Sequence, residues 1–404
     1  MRVSHATVRA VNALTARWAG QTTGGTVFSA AGLWPLLAFL ADGAAGAARE
    51  ELADAVGLPA DRAAAAAREL LAGLGSAAGV DSALGLWTKR TLELRERWEA
   101  GLPADAHGVL TGDAGTDRKA LDSWASKRTG GLVERLPVQV TEDTELVLAS
   151  ALSLRTRWLR PFEESPWWPE AGPWSGGQVY LGLERSSTLL DRVGVADTPD
   201  GHVTELRVHG TDAVDVHLVL GEETMTPAQV LRAGVSLLTD RTRLTPGDRL
   251  PLGDPGPGIR VRRIRAMNPA PPTLHVRTPA YEVRADHELL RRPEVFGLAT
   301  ACLPLMGGHF PGVSASPLLI DSAQQSAVAR FHARGFEAAA VTALAAAGAG
   351  LSQFRWLITV VDADFSRPFG FLAVHRHTRL ALAAGWVVEP LRYEYEDEDE
   401  DDVW

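Results

Sequence analysis

The 404 residues predict an α+β fold organised as one large domain. Three observations carry that reading. Helix-like periodicity fills the first third of the chain and strand-like runs fill the last half, a segregation that opposes an alternating α/β fold. Hydrophobic residues make up 46% of the chain, enough for a core without disulfide or metal staples and too many for a mostly disordered chain. No internal repeat and no interdomain linker is visible, which outweighs the two or three domains that length alone suggests.

The elements follow in order. Val8, Val11, Leu14 and Trp18 recur at helical spacing, so residues 3–18 form an amphipathic helix. Residues 32–40 are apolar nearly all round, which predicts a buried helix. Residues 49–56 and 62–74 are alanine-rich and helical, parted by Gly57-Leu58-Pro59. Residues 82–88 read as a strand and 119–136 as a helix running to Pro137. Residues 145–154 are almost continuously apolar, the mark of a strand buried on both faces. A Pro/Gly/Trp-rich loop follows at 161–177. Alternation over 203–220 predicts paired strands, with Val214, Val216, Leu218 and Leu220 on one face. Residues 250–258 are a turn region, 273–283 a strand, 287–298 a short helix and 323–331 extended. Strands at 356–365, 368–374 and 380–387 complete the pattern.

Charge and composition exclude several function classes. The net charge is -10, but the tail from Tyr393 holds eight acids and no base. The remaining 42 acids face 40 bases, so the body is near neutral and is no general nucleic-acid binder. The tail repels itself and is expected to be a disordered appendage, giving a folded domain at 1–391 and a tail at 392–404. Cys302 is the only cysteine, which excludes an intramolecular disulfide, and is expected as a small buried hydrophobe. The longest apolar run is too short to span a membrane. His5, Thr7 and Arg9 break any secretion signal, so a cytoplasmic location is expected. Only Lys89, Lys119 and Lys127 are lysines, which with the alanine excess suggests a GC-rich bacterial genome.

No G-x-S-x-G, phosphate-cradling glycine loop or H-E-x-x-H occurs, so no catalytic residue, cofactor or metal is expected. His375 and His377 could form half a metal site, but solvated strand residues are the preferred reading. The arginines at 260, 262, 263 and 265 read as a solvated strand face rather than a polyanion site.

The stretch from Gly335 to Gly350 is anomalous. It is too small to fill a core well and too apolar for an ordinary solvent loop. One reading is an alanine-rich helix. The other is a loop that becomes a strand inside a sheet, with Phe336, Ala338, Ala340, Thr342, Leu344, Ala346 and Gly348 on one face. Composition alone leaves both open.

Taken along nearly its whole length, the chain resembles the serpin family. Val27-Phe28-Ser29 with the buried 32–40 helix resembles the serpin helix B segment, and Leu121-Asp122-Ser123-Trp124 with Thr129-Gly130-Gly131-Leu132 resembles the end of helix F. The 146–151 run with Trp158 and Pro161-Phe162 resembles the third strand of sheet A and its tryptophan. Gly335, Glu337, Ala338, Ala339, Ala340 and Thr342 resemble the reactive-loop hinge, which here spans Gly335 to Thr342 and includes Phe336 and Val341. Arg367-Pro368-Phe369 and Gly385-Trp386-Val387 resemble the C-terminal strands.

The resemblance implies three β-sheets, about nine helices and an exposed reactive-centre loop. It also implies a mechanism. A serine protease cleaves the loop and forms an acyl-enzyme, the loop inserts into sheet A, and the protease is trapped covalently. The implied partner is that protease, and the implied state is a monomer without nucleic-acid or membrane partners. An extracellular location, common in the family, is the alternative. Family spacing from Gly335 places the scissile bond at Ala349–Gly350, which suits an elastase-like or subtilisin-like pocket. Spacing counted back from Pro368-Phe369 places it near Leu357–Ile358, and Arg355–Trp356 is a third candidate. The hinge count is preferred because it sets how far the protease is carried.

The chain also departs from the family pattern. Phe336 stands where inhibitory members have threonine or serine, and a large ring entering a packed sheet is expected to slow insertion. Ala333 replaces the usual hinge glutamate. Ser150, Gly32 and Gln325 replace the asparagine, serine and histidine of the shutter, the region with Ser29 and Trp158 where sheet A must open. Ser150 and Gln325 retain hydrogen-bonding capacity. The alternative function is therefore a non-inhibitory scaffold or binding protein of the same fold.

Overall fold

The structure, a computed structural model, describes residues 1–103, 106–131, 133–136, 138, 140–305, 308–320, 322–336 and 356–395, with the side chains of 81–83 and 151–153 excepted. Eight α-helices lie among the described residues, against about nine expected: α1 (His5–Ala19), α2 (Ala30–Gly43), α3 (Gly46–Val56), α4 (Ala60–Gly75), α5 (Glu96–Glu99), α6 (Ala114–Thr129), α7 (Pro227–Thr239) and α8 (Pro293–Phe296). The strands are β1 (Thr26–Phe28), β2 (Val80–Lys89), β3 (His107–Leu110), β4 (Leu146–Leu154), β5 (Thr156–Arg157), β6 (Glu163–Trp167), β7 (Tyr180–Ser187), β8 (Val193–Thr198), β9 (Gly201–His209) and β10 (Val214–Gly221). They continue with β11 (Leu244–Pro246), β12 (Gly253–Gly256), β13 (Ile259–Ala266), β14 (Thr273–Pro279), β15 (Tyr281–Glu288), β16 (Ser322–His332), β17 (Gly335–Phe336), β18 (Trp356–Asp364), β19 (Phe369–His375) and β20 (Leu380–Val387).

These strands form three sheets. Sheet A runs β3-β2-β4-β16-β17-β5, with β15 paired to β16. Sheet B runs β1-β20-β19-β10-β9-β8-β11, and sheet C runs β12-β13-β18-β14-β7-β6. The α+β expectation holds.

Local sequence explains the elements that matter most. Helix α2 is buried at every residue but Asp42, and Ser29 caps it by accepting from Gly32 N–H. Strand β4 is buried on both faces, as its apolar run predicts. Leu146 and Leu148 join the main core, while Val147 and Ala149 pack under Leu121 and Ala125 of α6.

Several expectations needed correction. Helix α6 starts earlier and ends at Gly130 rather than Pro137, because Gly130 adopts φ +61° and takes a left-handed cap. The 161–177 and 250–258 loops contain the short edge strands β6 and β12. The single strand expected over 273–283 is two, β14 in sheet C and β15 in sheet A. The helix expected over 287–298 is only the single turn α8, preceded by the end of β15 and a 3₁₀ turn. His375 is buried, and its Nδ1 meets Thr378 Oγ1 at 2.8 Å, so it is no solvated strand residue; His377 lies in the turn beyond β19. Cys302 is only partly buried, with Sγ 3.3 Å from Ala299 O.

No helix among the described residues is long and apolar enough to cross a membrane. No cluster of three metal-ligating side chains occurs among them either. Past β20 the chain stays on the body as far as Tyr393, whose N–H donates to Val179 O.

Candidate functional site

The site is a seam in sheet A, between β4–β5 on one side and β16 on the other. At its lower end β4 and β16 pair in parallel, Val147–Ser150 against Ser322–Gln325. Above Gln325 no ladder pairs join 326–330 to 151–155 among the described residues. At the top the gap is filled again. The chain turns back at Ala333-Arg334, and β17 pairs antiparallel with both β16 and β5.

Gly335 and Phe336 therefore already occupy the first rung of the gap. Phe336 lies opposite Phe331 on one side and Thr156 on the other. Its ring is 2% exposed and faces Phe371 of sheet B, centroids 6.3 Å apart. Gly335 is required by proximity, since a methyl there would overlap the Thr156 carbonyl oxygen. The expected obstacle is thus already inside the sheet. The structure gives Phe336 a place beneath it, because β19 supplies an aromatic neighbour where a small hinge residue would leave a void.

Trp158 closes the top. Its indole Nε1–H donates to His332 O at 2.8 Å, its backbone N–H donates to Arg334 O at 2.9 Å, and its ring lies 4.9 Å from Phe331. Phe162 N–H donates to Ala333 O. Glu282 bridges Arg284 and Arg330 on the outer flank of β16. Burial, reinforced by Arg330, holds the His332 imidazole below its usual pKa.

The residues expected at the shutter come together as a buried network. Gln325 Oε1 accepts from Ser29 N–H at 2.7 Å, and Gln325 Nε2 donates to Ser29 O and to Ser150 Oγ, both at 2.9 Å. Ser29 Oγ donates to Leu382 O at 2.6 Å. The network ties α2, β4, β16 and β20 together, with Gln325, Ser150 and Ser29 at most 2% exposed. One amide thus does what three different side chains are expected to do, and only its bond to Ser150 crosses the seam.

The remaining predicted residues divide as follows. Glu337, Ala338, Ala339, Ala340, Val341, Thr342, Ala349, Gly350 and Arg355 lie outside the described residues. Trp356, Leu357 and Ile358 open β18, where Leu357 pairs with Arg265 and Ile358 with Ile264. A protease binds its substrate as an unpaired extended strand. A Leu357–Ile358 bond held in this ladder is poorly presented for it. Arg260 and Arg262 are paired to Asp254 and Asp362 on the exposed face of sheet C.

Sequence reasoning missed three partners of Phe336: Thr156, Phe331 and the role of Phe371. Their signal was a register across three strands, which no local pattern carries. It also missed a buried ionic cluster in sheet B. There Glu205 Oε1 meets His217 Nδ1 at 2.7 Å and Glu205 Oε2 meets Arg241 at 2.7 Å. Burial opposes ionisation of Glu205, but His217 and Arg241 outweigh it and hold the carboxyl well below its usual range.

A serpin (serine protease inhibitor) family model matches residues 5–169. Putative serpin-Z6C of Oryza sativa subsp. japonica is 24% identical over 397 residues, covering 91% of each chain. Putative serpin-Z6A from the same source is 26% identical and covers 91% of this chain and 94% of its own. The chain is similar to serpins along nearly its whole length. The thermophilic serpin tengpin in its native state superposes with a TM-score of 0.74 at 13% identity, over 96% of this chain and 95% of its own. A thyroxine-binding globulin complex with thyroxine gives 0.71 at 17%, over 96% and 99%. These two share the fold, and the second is a complex with thyroxine. The plant relatives lend no support to the bacterial origin that composition suggested.

Proposed function

We propose that this protein is a serpin and inhibits serine proteases by suicide trapping, with the seam of sheet A as the receiving slot. The observation that carries the reading is the ladder register of β17. The paired residues end at Phe336, and the same register continued beyond it would bring Thr342 opposite both Gln325 and Ser150. The two neighbouring strands support the same position for the inserting residue. Phe336 faces inward, so Ala338, Ala340 and Thr342 share its face. Thr342 would arrive where its hydroxyl replaces the Gln325–Ser150 bond across the seam.

The chemistry needs nothing catalytic from this chain. The protease serine attacks the carbonyl of Ala349, the Gly350 amine leaves, and an ester remains. Insertion then carries the ester away before water hydrolyses it. A small residue at the cleaved position favours elastase-like or subtilisin-like enzymes.

A non-inhibitory reading is favoured by one observation. Phe336 is already seated, so the hinge could serve as a fixed anchor. Denaturing electrophoresis after mixing with an elastase-like and a subtilisin-like protease separates the two readings. A band near the summed mass, with a released fragment beginning at Gly350, supports trapping. Complete cleavage without that band supports the scaffold reading.

A further inference from the structure

We propose that the free edge of β13 receives the acidic C-terminal tail of a second copy of this chain, joining copies head to tail. The proposal is independent of the trapping reading, and it departs from the monomer that the resemblance implies.

Strand β13 lies on the outer edge of β18 and pairs with it from Ile259–Ala363 to Ala266–Trp356. Its other edge is covered only in part. Strand β12 pairs with Ile259 and Val261, and no described strand pairs with that edge beyond Val261. Arg262, Arg263, Ile264 and Arg265 are exposed there. In an antiparallel pair alternate residues turn their N–H and C=O groups away from the partner. This stretch therefore offers backbone groups to another strand.

Charge selects the occupant. Arg260 and Arg262 are paired with Asp254 and Asp362. Arg263 and Arg265 have no carboxylate partner among the described residues. Two positions apart on one strand, they point to the same face. A second β13 is a poor partner, because it sets arginine against arginine. An acidic strand is a good one, and the tail reads Glu396-Asp397-Glu398-Asp399-Glu400-Asp401-Asp402. With every position acidic, any register sets a carboxylate opposite each arginine. The tail ends in Val403-Trp404, and Ile264, Met267, Trp356 and Leu357 are exposed at the same end of β13 and β18.

The tail of the same copy does not reach. Arg392 bridges to Tyr180 at the start of β7, and Tyr393 N–H donates to Val179 O, so the chain leaves sheet C heading away from Arg263. The registers through β7, β14 and β18 put Tyr180 about nine residues along and three strands across from Arg263, about 30 Å away. Tyr395 starts still further off, and a fully extended chain carries Asp402 only about 24 Å beyond it. Tail and edge therefore meet between copies. The two surfaces differ, so the contact is heterologous, and every joined copy leaves a tail or an edge free for the next.

Sedimentation velocity of the full chain tests this. In low salt the mass should rise with protein concentration. At about 1 M salt, where charges are screened within about 3 Å, the chain should be monomeric. Two variants dissect the contact. One reverses the edge with Arg263→Glu and Arg265→Glu. The other neutralises the tail with Glu396→Gln, Asp397→Asn, Glu398→Gln, Asp399→Asn, Glu400→Gln, Asp401→Asn and Asp402→Asn. Each alone should self-associate at least tenfold more weakly than the parent. Mixed, they should form a dimer of one copy each and nothing larger, because one intact tail and one intact edge remain. The tail variant changes no described residue, so its loss of association stands as a test even if the edge variant unfolds. A parent chain that stays monomeric in low salt would overturn the proposal. So would undiminished association of the tail variant, or a mixture of the two folded variants that forms no dimer.

Discussion

Sheets A and B of this molecule share one core but are closed by different means. In sheet B, β9, β10, β19 and β20 pair antiparallel along nearly their full lengths, with Phe371, Leu218 and Leu206 buried on one face and Leu372 on the other. In sheet A, β4 and β16 meet in a parallel ladder of four residues on each strand, which includes the small residues Ala149, Ser150 and Ala323. One sheet is held by length and bulk. The other is held by a short ladder, one amide and a two-residue plug. A sheet built to open should be weak along a single line and strong elsewhere, and this contrast meets that description.

The largest effect should come from charging the plug's path. Thr342→Arg would bring a guanidinium between Gln325 and Ser150, and burying it unpaired costs several kcal/mol. Covalent complex with protease should vanish while cleavage continues, as read on denaturing gels. Persistent complex would show that Thr342 does not reach the shutter.

Phe336→Ala comes next. It empties a site already filled in the intact protein and should cost about 3–5 kcal/mol in denaturant unfolding. Because the ring is inside before cleavage, the yield of complex should not rise. A marked rise would mean that Phe336 obstructs insertion after all.

Gln325→Ala strands the Ser29 N–H and carbonyl, and should cost about 3 kcal/mol in the same measurement. A loss below about 1 kcal/mol would mean that water replaces the amide.

The smallest effect separates the two sheets by pH. His209 and His375 of sheet B are both lowered to about 4, chiefly by burial. The unfolded chain binds these protons first, so stability is full above about pH 6.5 and falls as pH drops toward 4. In sheet A, burial lowers His332 and His287 in the same direction but less far, and Gln325, Ser29 and Ser150 do not titrate. Exchange-detected opening of sheet B should therefore rise on acidification more than opening at the shutter. Equal acid sensitivity in both sheets would break the distinction.

How much of this was legible in the sequence follows from the same contrast. The β4 run and the buried α2 are local signals of composition and spacing, and each was readable. The Gln325–Ser150 bond was readable because both residues keep hydrogen-bonding groups at positions the family resemblance marks. The seating of Phe336 was not, since it depends on Phe331, Thr156 and Phe371 meeting from three distant strands. The break at Pro279-Ala280, where the chain changes sheets, leaves the alternation of apolar residues intact and so gives no local sign. Glu205, His217 and Arg241 likewise meet only through strand register. Short edge strands such as β6 and β12 are rich in the residues that usually mark loops.

The central claim is that sheet A is a slot waiting to be filled, and thermal unfolding before and after loop cleavage tests it most directly. Cleavage by subtilisin should leave a protein that unfolds at a markedly higher temperature than the intact one, as the loop becomes a full strand between β4–β5 and β16. An unchanged or lowered unfolding temperature, with the loop shown by mass spectrometry to be cut, would contradict it.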